Sequence, residues 1–185
     1  IGTAREIQIS PATLSFDAAD AATPIYVEID WMEDGSHTHR PSDEAIARIV
    51  RAFACEGYAI HLDISDAIPH QAAIDVLDSP SASPDVVAIR NQFFDHAGDP
   101  RYYYSIWAHA FSRYGQLTSS SGIADLPGQI HLVTLGENAE YAELHAGTFV
   151  HEFGHNLGQT HGGADHNNYK PNYLSVMNYL YQFPG

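Results

Sequence analysis

Apolar and polar side chains alternate most clearly through Ile25-Tyr26-Val27-Glu28-Ile29-Asp30-Trp31, the two-residue period of a strand. The preceding residues 1–24, with Ser10-Pro11 and Thr23-Pro24, read as an arm leading into the core. After the strand the period lengthens. Ile46, Ile49, Val50 and Phe53 fall on one stripe of a helix opened by Ser42-Asp43-Glu44 and closed by Gly57. Ser42 supplies an N-cap oxygen, and the two acids that follow suit the positive end of the helix dipole. Tyr58 to Ile64 is the next expected strand, so this strand–helix–strand unit predicts a right-handed parallel crossover. Farther on, the pattern predicts a helical stretch from Asp85 to Phe94, strands over Tyr102–Phe111 and Gly128–Leu135, and a last helix from about Glu140 to Leu157. Strands interleaved with helices define an α/β chain with a twisted sheet. No repeat or low-complexity linker interrupts residues 1–185, and one domain is expected.

Composition narrows the class. Hydrophobic residues make up 44% and charged residues 17%, a globular balance. No run approaches the ~20 apolar residues of a membrane-spanning helix. Twenty-three acids against eight bases give a net charge of −15, which argues against nucleic acid or an anionic membrane as partner. A soluble monomer is expected. The chain begins at Ile1 without a signal-peptide pattern, as a processed, secreted bacterial protein would. Cys55 is the single cysteine, so no internal disulfide can form; the surrounding apolar pattern predicts a buried thiol.

The chemistry is concentrated in His151-Glu152-Phe153-Gly154-His155-Asn156-Leu157-Gly158-Gln159-Thr160-His161, a complete HExxHxxGxxH sequence. Four helical residues turn the chain by about 400°, which brings His151 and His155 to one face about 6 Å apart along the axis. Two ring nitrogens so placed can reach one zinc ion at about 2.0–2.1 Å. Gly158 allows a sharp exit from the helix, because glycine accepts positive φ without a Cβ penalty, and His161 then closes the site. Three protein nitrogens leave a fourth position open, which marks a catalytic rather than a structural zinc. Glu152 is placed beside the ion to take a proton from the attacking water.

These residues resemble the metzincin metallopeptidases, whose extended zinc motif is followed by a methionine-containing turn beneath the metal. Here the turn is Ser175-Val176-Met177-Asn178-Tyr179. The resemblance implies a zincin-like fold: a twisted, mixed sheet with an antiparallel edge strand, an active-site helix and a backing helix. It also implies one catalytic zinc, and Met177 as the floor of the site. Tyr179, two residues beyond the methionine, is similar to the tyrosine of the astacin-like, serralysin-like and pappalysin-like branches. There it is a further metal ligand and transition-state donor. The family binds extended peptide on an antiparallel edge strand before the zinc helix. Gly128, Gln129, Ile130, His131 and Leu132, or alternatively the loop Ser119–Ala124, are the candidates for that rim. A C-terminal helix normally follows the turn, and with only Leu180 to Gly185 remaining it is expected to be missing.

The resulting expectation is a zinc-dependent endopeptidase acting on peptide or protein. Two rivals share the motif: a zinc-binding interaction domain that cleaves nothing, and a zinc hydrolase of a non-peptide amide. His37-Thr38-His39 and His61-Leu62-Asp63 each place two metal-capable groups at i and i+2, so a second metal site is conceivable, although solvated loop histidines are the ordinary reading. Asp165-His166-Asn167-Asn168 offers oxygen ligands suited to Ca2+, against which stands ordinary Asx-turn chemistry.

Overall fold

The computed structural model describes residues 13–14, 24–136 and 141–182. Most of the expected N-terminal arm, the expected helix start at Glu140 and the last three residues lie outside them. The alternating segment forms β2 (Pro24–Glu33), preceded by the short β1 (Thr13–Leu14). It is followed by α1 (Asp43–Cys55) and β3 (Ala59–Pro69). The Ser42 hydroxyl accepts the Ala45 N–H at 3.1 Å, and Gly57 turns out of the helix with φ of +80°. Then come β4 (Ile74–Val76), α2 (Pro84–Phe93), β5 (Tyr102–Ala108), β6 (Phe111–Arg113), β7 (Gln116–Leu117), β8 (Gly122–Ala124), β9 (Ile130–Thr134) and α3 (Ala142–Asn156). The single strand expected over Tyr102–Phe111 is thus two, broken at the corner His109–Ala110, where the chain passes into a second sheet.

Six strands lie in the order β1-β3-β2-β5-β9-β8. The four central ones are parallel to their neighbours, whereas β1 and β8 pair antiparallel at the two edges. The expected mixed sheet is therefore present, with β8 the antiparallel edge beside α3. Strand alternation divides the core in two. Val27, Ile29, Trp107 and Val133 face α1 and α3, meeting Ile46, Ile49, Phe149 and Phe153. Tyr104, Ile106, Ile130 and Leu132 face the other way, against Val86 and Ile89 of α2 and Ile74, Val76 and Phe111 of the small sheet β4-β6-β7. Both faces are covered, the arrangement that parallel strands require.

Cys55 is exposed, contrary to the burial expected for it. It lies nine residues past Ile46, about 180° around the helix, and so falls opposite the apolar stripe.

On the α2 face, β2 carries two fully buried carboxylates. Glu28 accepts the Asp95 and His96 backbone N–H groups and sits 2.6 Å from His96 Nδ1. Asp30 accepts the Tyr104 hydroxyl at 2.6 Å and the Asp66 N–H at 2.9 Å. Burial nevertheless pushes the Asp30 carboxyl up to about 7. The folded chain therefore holds this proton more tightly than the unfolded chain, whose aspartates titrate near about 3.9. The stabilisation is complete below that value and is lost as pH rises toward 7. Asp30→Asn removes the titration. In denaturant melts the wild type should lose stability relative to this variant between pH 4 and 7, by at most about tenfold in the unfolding constant per pH unit. A difference between the two proteins that does not change with pH would refute the assignment.

Candidate metal centre

α3 places its chemistry by rotation. Phe149 and Phe153, one turn apart, are fully buried against the sheet. His151 and His155 each lie two residues farther on, about 200° around the axis, and so form a row on the side away from the sheet. The helix ends at Asn156, and Gly158, with φ of +87°, redirects the chain. His161 then approaches from outside the helix.

The three imidazoles converge. His155 Nε2 lies 3.2 Å from His151 Nε2 and 3.2 Å from His161 Nε2. His151 Nδ1 donates to the Val176 carbonyl and His155 Nδ1 to the Gln159 carbonyl, each at 2.8 Å. A carbonyl can only accept, so these bonds fix the tautomer and leave both Nε2 atoms as lone-pair donors. Burial lowers all three histidines, His151 to about 4, which keeps them neutral and competent as ligands at physiological pH. Two nitrogens bound tetrahedrally at about 2.0–2.1 Å are separated by about 3.3–3.4 Å. The observed spacing fits one zinc ion.

Below them, Met177 is 3% exposed and presses on Gly154. A Cβ at Gly154 would lie 2.3 Å from the Met177 sulfur. This contact explains a glycine inside a helix, where it costs about 1 kcal/mol relative to alanine. The turn itself is held by asparagines that the sequence motif does not single out. Fully buried Asn178 donates from Nδ2 to the carbonyls of Lys170 and Tyr173, and Asn168 Oδ1 accepts the Tyr179 N–H at 3.0 Å. Tyr179 reaches the rim, its ring centroid 4.4 Å from that of His161 and 5.5 Å from that of His151.

Glu152 points toward β8. A Cβ on Gly122 would meet Glu152 Oε1 at 2.8 Å and the Leu132 carbonyl at 2.6 Å, so the carboxyl lies against bare edge-strand backbone. Burial pushes Glu152 up to about 8; a cation held beside it favours the ionised form.

The rim of the sheet differs from the expectation for Gly128 to Leu132. β9 is hydrogen-bonded on both sides, and all five of its residues are buried. His131 faces α3, its Nδ1 2.8 Å from Asn156 Oδ1, while Ile130 and Leu132 enter the opposite core. Gly128 and Gln129 line a separate cleft of about 410 Å3 with Ser81, Arg90 and Phe94, and none of the three imidazoles borders it. Among the described residues the edge of the sheet falls instead at β8, within the alternative Ser119–Ala124.

The other metal expectations are also redistributed. His61 stacks on Tyr26 and Asp63 approaches His96, so neither joins His37 and His39. Asp165 is engaged by Lys170 Nζ at 2.7 Å and by the Asn167 N–H, which leaves no basis for Ca2+ there. His37 and His39 are not solvated loop residues; they meet His70 and His109.

The architecture is consistent with a zincin-like fold, and the three histidines converge at one place on it. No family model and no curated protein matches it by sequence. Its fold is similar to that of archaemetzincin from Methanopyrus kandleri, with 16% identity, a TM-score of 0.52, and coverage of 83% of this chain and 80% of that one.

Gly154→Ala tests the floor of the centre. The added methyl has to displace the Met177 sulfur, and overpacking of this kind costs about 1–3 kcal/mol. Lower thermal stability with weakened zinc retention is expected. Wild-type values for both would show that Met177 does not support the imidazoles.

Proposed function

We propose that the protein is a zinc-dependent endopeptidase that hydrolyses peptide bonds with an activated water. One observation carries the reading: three converging imidazole nitrogens, a buried carboxylate and a sheet edge with no strand beyond it among the described residues meet at one place. His151, His155 and His161 would hold the zinc. When bound, that ion supplies Lewis-acid polarisation of the scissile carbonyl and lowers the pKa of water toward about 7.

Among the described residues β8 pairs with β9 on one side and with no strand on the other. An extended peptide added there is held by main-chain hydrogen bonds. With Gly122 bare, its scissile bond can approach Glu152 without an intervening side chain. Glu152 takes one proton from the attacking water as the new C–O bond forms. It then delivers that proton to the departing nitrogen as the C–N bond breaks, giving a carboxylic acid and an amine. Its buried position suits this exchange, because burial weakens its acidity and brings it closer to neutral pH. The Tyr179 hydroxyl donates a hydrogen bond to the developing oxyanion. That role allies the chain with the tyrosine-bearing metzincin branches.

Glu152→Gln keeps the shape of the side chain but cannot accept the proton. It should retain the wild-type metal content while kcat/KM on a cleavable peptide falls by roughly 10²–10⁴-fold. Substantial cleavage by this variant would remove Glu152 from the chemistry; absence of peptide cleavage by the wild type would overturn the reading as a whole.

Tyr179→Phe deletes only the hydroxyl. A loss of roughly 10–10³-fold in kcat, with KM and melting temperature near wild type, is expected for a transition-state donor. An unchanged kcat in steady-state assays would reduce Tyr179 to a packing residue.

A further inference from the structure

Four other histidines, far apart in sequence, come together at one end of the central sheet. His37 and His39 lie in the connection after β2, where Glu33 and Thr38 form an antiparallel bridge and the His39 N–H bonds to the Met32 carbonyl. His70 follows β3 directly, and its N–H donates to the Glu33 carbonyl. His109 stands at the corner after β5, its carbonyl accepting the Gly136 N–H. Strands β3, β2 and β5 are adjacent and parallel, so their C-terminal ends deliver all four imidazoles to the same place.

The rings are as close as those of the catalytic trio. All six pairwise centroid separations lie between 4.4 and 5.6 Å, against 4.8–5.2 Å for His151, His155 and His161. One nitrogen from each ring lies within 4.8 Å of the others. His37 Nε2, His39 Nε2, His70 Nε2 and His109 Nδ1 are all shielded from solvent, and none has a hydrogen-bond partner. Orphaned buried nitrogens are uncommon singly, and four in one cluster require an explanation.

The surrounding polar groups supply one. His37 Nδ1 is 3.0 Å from the Ser36 hydroxyl and 3.5 Å from Asp34 Oδ1, and His70 Nδ1 is 3.7 Å from Asp34 Oδ2. The Ser36 hydroxyl and the backbone N–H groups of Ser36 and His37 hold Asp34 well below the usual carboxylate range. An ionised carboxylate only accepts, so it favours the proton on Nδ1 of both rings and turns each Nε2 lone pair inward. Carboxylates behind imidazoles play this part in metal sites. Water offers only two protons to the cluster, whereas a tetrahedral cation satisfies four lone pairs at once.

We propose that His37, His39, His70 and His109 bind a second metal ion, a structural zinc that fastens together the ends of three parallel strands. Four protein nitrogens fill a tetrahedral shell and leave no position for substrate, in contrast with the three-histidine centre. The proposal does not depend on peptidase activity.

Metal counting separates the two sites. Wild-type protein stripped with chelator and dialysed against buffered micromolar zinc should regain two ions per chain. His155→Ala/His161→Ala, which leaves the second cluster intact, should retain one. Cobalt(II) in that double variant should give the visible absorption of a tetrahedral all-nitrogen site, and zinc should raise its melting temperature. His39→Ala/His109→Ala should hold a single ion, and its melting temperature should gain nothing from a second equivalent. Uptake of one equivalent by the wild type would overturn the proposal, as would absence of zinc and cobalt from the His155→Ala/His161→Ala protein.

Discussion

The packing of Phe149 and Phe153 against the sheet fixes the rotation of α3, and the convergence of the three histidines depends on that rotation. A helix side chain two positions from an anchored one points about 200° away. Once the phenyl rings are inserted beside Trp107, Val133 and Tyr103, His151 and His155 can only face the C-terminal segment. Glu152, one residue from each row, is turned toward β8. Apolar packing thus sets the geometry of polar chemistry with which it shares no atoms.

The second requirement is a cover for the histidine row. Residues 157–182 contain no helix or strand, yet they bury His151 to 1% exposure and supply the Val176 carbonyl that orients it. Its backbone is bonded only through turns and one short bridge, so side-chain amides add to the bonding. Asn178 satisfies two carbonyls and Asn168 captures a backbone N–H, while Lys170 engages Asp165 and the Gly162 carbonyl. On the sheet side, Asn156 does similar work by donating to the carbonyls of Asp125 and Ile130.

Local chemistry was legible in the chain; spatial order was not. The eleven residues His151 to His161 encode their own geometry through helical spacing and one glycine. Likewise, the alternation from Ile25 to Trp31 and the stripe of α1 are short-range patterns. Strand order is a long-range property: Gly128 to Leu132 were expected at the rim, whereas β9 lies between β5 and β8, because nothing local distinguishes a central strand from an edge except uniform burial. His70 and His109 escaped notice for the same reason: each is a lone histidine, and only the sheet brings them to His37 and His39. Gly122 and Gly154 look like ordinary glycines in sequence. Their meaning is the atom that occupies the space of the absent Cβ.

The bond from His151 to the Val176 carbonyl spans twenty-five residues, and the intervening chain includes His161. Helix and C-terminal segment therefore share one fastening, which an ion held by His151, His155 and His161 would close. Loading the centre would also favour this arrangement of the segment, because an ion bound by all three histidines would hold His161 to α3. Without metal the segment would keep its amide bonds and Met177 contact but lack that common tether. It would then be free to lift as a unit while the two-faced sheet beneath stays folded. Metal occupancy and the resistance of this stretch to proteolytic nicking would therefore rise and fall together.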